Sequence, residues 1–216
     1  MVAANYAPAL IAGAAMAVLG VWGLARDSAM GNDEVATRWA ALLSLRELAH
    51  LLNTVDAVHG FYYLLMHGWM AVGTSPAVMR IPSVISMVVA AGLIAILARQ
   101  LTGSGWAALF AGLIMALTPT ITYYAQTARS YALVYLCVVG ATLLLLRALR
   151  AEHNGRPVVW AWVSYGALML LAGYLNEMAL LARMAISPAA TIMLSTDGMR
   201  STAGLVPTVI QPCISR

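Results

Sequence analysis

Of the chain's 216 residues, 62% are hydrophobic and only 9% are charged, against roughly 45–50% apolar and about 25% charged in soluble domains. That balance excludes an ordinary water-soluble domain, and with it a disordered chain or a nucleic-acid binder, since either needs far more charge. The net charge of +4 comes from 12 arginines and no lysine against 8 acids, and a basic loop facing anionic lipid accounts for it. Cys137 and Cys213 lie in an apolar run and in the tail, so they build neither a disulfide framework nor a metal-ligand spacing.

A charge at the bilayer centre costs about 2.5–3.5 kcal/mol on insertion scales, so uncharged stretches mark membrane spans. Five such runs occur: residues 7–25, 81–98, 106–123 within a longer apolar stretch, 130–146 and 157–176. Each is near the roughly 20 residues that about 30 Å of hydrocarbon requires. The first run lacks a positive flank before it and is too long for a signal-peptide core, which predicts an uncleaved anchor. Residues 61–72 are apolar and aromatic but short, with His67 before a break at Gly73. They predict a helix that lies in the interface or re-enters instead of spanning.

With that parity, the loops 26–80 and 119–129 and the end of the fifth span share one side. Arg99 and the Arg147, Arg150, Arg156 cluster share the other, which is cytoplasmic by the positive-inside rule. The expected fold is therefore all-α: a multi-pass membrane protein with about five transmembrane helices and two or three interfacial helices in the first outer loop.

That loop carries helix signals. Asn32 is a predicted N-cap, with Asp33 and Glu34 in the first turn, where the helix dipole favours anions. Val35, Trp39, Leu42 and Leu43 then recur at helical spacing, and Ser44 with Glu47 has the spacing of a capping box ahead of a second amphipathic helix. The acids can simply cap helices. Other polar residues fall on the same side, however: Asp56 and His59 before Phe61-Tyr62-Tyr63, the stretch from Tyr123 to Tyr131, and Asn176-Glu177 after the fifth span. Ionisable groups at membrane-helix ends are functional candidates, with snorkelling the competing account of Arg129.

These features, in this order, resemble the integral-membrane GT-C type glycosyltransferases, in particular their protein-mannosyltransferase-like members. The resemblance rests on the acidic pair Asp33-Glu34, the stretch DAVHGFYY at 56–63, the Arg80-Ile81-Pro82-Ser83 entry to the next span and the stretch YAQTARSYAL at 124–133. It implies transfer of a sugar, mannose by family default, from a polyprenyl-phosphate donor to a hydroxyl-bearing acceptor at the outer face of the membrane. Transfer would invert the anomeric centre, with Asp33 as general base.

Arg129 is then the candidate partner of the leaving phosphate. Glu34 is expected to orient Asp33 or bind acceptor. Gln126, Tyr131 and Glu177 complete the expected substrate contacts with Asp56 and His59. Those last two could hold a divalent ion, but two residues make no metal site, so no cofactor is expected.

The resemblance covers residues 1–182. Gly60 stands where many relatives have proline, and relatives are about twice as long. Residues 183–216 show no further span or family motif, which predicts a disordered or loosely interfacial tail of a truncated or frame-shifted product. Two other readings stay open: an inactive chain lacking the donor groove, and a transporter component, although no repeat or mid-span acid supports the latter.

Overall fold

A computed structural model describes residues 2–26, 30–54, 59–155 and 157–176, and every regular element among them is a helix. Asp56, Arg156, Glu177 and the tail from residue 183 lie outside the described residues. Four helices form the long apolar scaffold: α1 (Val2–Arg26), α5 (Pro76–Thr102), α8 (Tyr131–His153) and α9 (Val159–Leu175). Shorter helices are α2 (Asn32–Leu42), α3 (Leu45–Thr54) and α4 (Gly60–Trp69) in the first loop, and α6 (Gly105–Leu117) and α7 (Pro119–Ala125) between α5 and α8.

The ends of α5 follow from local sequence. The Ser75 hydroxyl accepts from the Val78 N–H at 3.3 Å, and Pro76 occupies the first turn, where its missing N–H is no loss. At the other end Gly103, at φ 71°, takes the left-handed conformation that only glycine adopts freely, and its N–H closes on the Arg99 carbonyl at 2.8 Å.

The helices α1, α5 and α6 pack on one another, α5 supports α8, and α8 supports α9. Between α1, α5 and α6 the contact surface is made of small residues, including Ala12, Ala90, Ala91, Ala95, Ala108 and Ala116, which let helix backbones approach closely in a membrane. Large apolar side chains point outward instead, Leu10 at 69% and Ile114 at 67% exposure, a pattern suited to hydrocarbon. A second core of Leu48, Tyr62, Tyr63, Met66, Cys137 and Leu175 joins α3 and α4 to α8 and α9.

Three helices among the described residues are long and apolar enough to cross a membrane, or four where the bent pair α6–α7 counts as one broken span and not as a re-entrant loop. The fifth expected span, α9, is apolar but has only 17 residues. The third also departs from a straight span: α6 and α7 meet at 67°. Pro119 disfavours helical geometry at the residue before it, and Thr118 is accordingly extended at φ −72°, ψ 119°. The segment from residue 61 does form a short helix, α4, of 10 residues.

In the first loop the capping box is present, with the Ser44 N–H donating to Glu47 Oε2 at 3.0 Å and the Glu47 N–H to Ser44 Oγ at 3.4 Å. The expected N-cap at Asn32 is corrected to Gly31, whose carbonyl receives the N–H groups of Glu34 and Val35 at 2.9 and 3.0 Å. The α2 stripe of Val35, Trp39 and Leu42 is exposed, while Glu34, Thr37, Ala40 and Ala41 face inward.

Candidate active site

Glu34 is the centre of the polar end of the molecule. The residue is only 3% exposed, and Arg80 of α5 only 2%. Arg80 donates from Nε to Oε1 at 2.8 Å and from Nη2 to Oε2 at 2.6 Å, a two-pronged fork of the strong, geometrically defined kind. The Ala128 N–H adds a bond to Oε1 at 2.7 Å and the Gly31 N–H one to Oε2 at 3.2 Å. One side chain thus joins α2, α5 and the turn between α7 and α8. Burial alone would raise the Glu34 carboxyl above its ordinary 4.5, but Arg80 and the two amides outweigh it and hold the group lower.

Asp33, the preceding residue, points the other way and is 65% exposed. Its Oδ2 lies 3.2 Å from Nη2 of Arg129, whose side chain is 13% exposed. Among the described residues the Nε–H of Arg129 is buried without an acceptor, so the guanidinium keeps donor capacity beyond Asp33. Both residues line a cavity of about 480 Å³ together with Asn32, Arg80, Gln126 and Tyr131, a size in the usual range for small-ligand sites.

The break at Thr118 swings α7 so that Tyr123 and Tyr124 reach this cavity. Gln126 locks α7 to α1 through a bond from Nε2 to the Leu19 carbonyl at 2.9 Å. Gly23 leaves room for it, since a Cβ at that position would overlap the Gln126 carboxamide where it now lies.

Five of the eight expected site residues therefore meet at one cavity: Asp33, Glu34, Gln126, Arg129 and Tyr131. His59 is placed at the start of α4, its ring 6.0 Å from that of Tyr63, and Asp56 and Glu177 fall outside the described residues. No three His, Cys, Asp or Glu side chains among the described residues group as metal ligands. Arg80 is the residue that sequence reasoning missed as a site member. Its signal was a charge four residues inside a proline-started helix, which read as a span boundary but is too buried to be snorkelling.

An all-helical membrane protein with an acid–arginine cavity at one end is the class these features define. A profile of the dolichyl-phosphate-mannose-protein mannosyltransferase family matches residues 58–214. The chain belongs to that family, which is of the GT-C glycosyltransferase type. The match takes in residues 183–214, so the absence of a recognisable motif there does not mark the family's limit, and Asp33 and Glu34 precede it. No curated protein and no solved structure matches the chain.

Proposed function

We propose that this chain serves sugar transfer, mannose by its family's name, from a polyprenyl-phosphate donor to an acceptor hydroxyl at the outer face of the plasma membrane. The observation that carries the reading is the Asp33–Arg129 ion pair, 3.2 Å long, in the lining of one cavity. Asp33 supplies an exposed carboxylate that can take the acceptor's proton as its oxygen attacks the anomeric carbon. The carbon–phosphate oxygen bond breaks on the opposite face, and the polyprenyl phosphate leaves with the electron pair.

Arg129 is suited to that leaving group, since a partly desolvated guanidinium stabilises charge as it gathers on phosphate oxygens. Glu34 serves as a positioning residue: clamped by Arg80, it sets the helix start from which Asp33 projects. The test is an Asp33→Asn variant of the full-length membrane protein, assayed with polyprenyl-phosphate mannose. Normal insertion with transfer lowered at least ~100-fold, the lower range for a general base, is expected; retained transfer overturns the assignment.

A further inference from the structure

Three tyrosines occupy the wall of the cavity beside Arg129, and nothing in the proton and phosphate chemistry uses them. The rings of Tyr123 and Tyr124 have centroids 5.7 Å apart and those of Tyr124 and Tyr131 5.1 Å apart. Tyr124 is the middle ring and is half-buried against the core between α1, α5 and α6. It gives the other two a fixed backing. Tyr123 and Tyr131 keep open surface, 63% and 36% exposed, while lining the same cavity as Asp33 and Arg129. Successive rings are inclined at 60° and 50°, so the cluster is a faceted ledge whose two outer rings carry exposed surface.

A pyranose presents one face of C–H groups, whose positive edge suits the negative face of an aromatic ring. The sugar being transferred is bonded directly to the phosphate, and Arg129, the phosphate partner, lies between Tyr123 and Tyr131 in the chain. We propose that the Tyr123–Tyr124–Tyr131 ledge is the donor-sugar subsite, gripping the hexose by stacking on Tyr123 and Tyr131. This rests on the reading of Arg129 as the phosphate site. The alternative occupant of these rings is the bilayer interface, where tyrosines anchor without reading a ligand.

The test uses the full-length protein in nanodiscs and two soluble short-chain probes, a polyprenyl phosphate and its mannosyl diester, titrated separately. Wild type is expected to bind the mannosyl lipid about three- to tenfold more tightly than the bare phosphate, the range that one or two aromatic contacts supply. Tyr123→Leu and Tyr131→Leu should bring that ratio close to one by weakening the mannosyl lipid, and Tyr123→Trp should keep it.

Equal affinity of wild type for the two lipids, or equal weakening of both by the tyrosine variants, overturns the sugar subsite. Arg129→Gln separates the two readings, because it should weaken both lipids together. If it does so while the tyrosine variants leave the ratio intact, the phosphate site stands and the ledge falls. If Arg129→Gln changes neither, the phosphate site falls, and the ledge as a donor subsite falls with it.

Discussion

Glu34 and Arg80 illustrate how much of the site depends on one buried contact. Each ion is expensive to desolvate, and the attraction between them repays that cost only because the fork and two amides satisfy the carboxylate. Removing one partner strands the other: Glu34→Gln should lower stability by about 3–5 kcal/mol, measured by thermal unfolding in detergent. The double variant Glu34→Gln with Arg80→Met should recover part of that loss, and a strictly additive double variant would refute the coupling.

Acid should mimic the single substitution. The folded-state value of Glu34 lies below 4.5, so the unfolded chain binds the proton first as pH falls. The contribution of the pair is complete above that ordinary value and is lost as pH drops through the folded one. Wild type should lose stability over that acid range by more than Glu34→Gln does, and parallel pH profiles would contradict the assignment.

At the scale of elements, the decisive device is the fracture of one apolar run into α6 and α7. A straight helix would carry Tyr123 and Tyr124 away from α2, whereas the 67° bend delivers them to the cavity. The bend is kept by Gln126 lying on the bare backbone of Gly23. Gly23→Val should wedge the two apart at a cost of about 1–3 kcal/mol, typical of overpacking, and transfer should fall with it. Replacing Gln126 by Ala in the same chain opens the space and should restore much of the unfolding midpoint, whereas no rescue would mean the two residues are not in contact.

Signals local to a few residues were legible here in the sequence: the capping box at Ser44, the short helix before Gly73, and the charges that close α1 and bracket the apolar middle of α5. The fracture was partly legible, since Thr118-Pro119 is a helix-breaking step, but uninterrupted apolar residues on both sides masked it. The pairing of Glu34 with Arg80 was not, because the two are 46 residues apart and no local rule says which arginine a buried acid will meet. The cap lies one residue earlier than expected, at Gly31, whose N–H donates to Glu34 Oε2 at 3.2 Å.

For the molecule as a whole, the two ends of the helical scaffold differ in chemistry. One end gathers α2, the start of α5, the α7–α8 turn and the cavity. At the other, Arg150 of α8 donates to the Gln100 carbonyl near the end of α5 at 2.7 Å, with Arg99 and Arg147 on the same helix ends. Positive-inside orientation counts arginines that can meet headgroups near span ends. Arg80 at the cavity end is sequestered within the fold and cannot. Arg38 and Arg46 also lie in the first loop, at the cavity end, against Arg99, Arg147 and Arg150 at the other; we propose that the latter group sets the orientation and directs the cavity, with Asp33, out of the cytoplasm. Single cysteines at positions 33 and 154, in a background with Cys137 and Cys213 replaced, test this directly with a membrane-impermeant maleimide. Position 33 should label in intact cells and position 154, exposed just beyond α8, only after permeabilisation. The reverse pattern would put Asp33 on the cytoplasmic side and overturn the proposed outer-face transfer reaction.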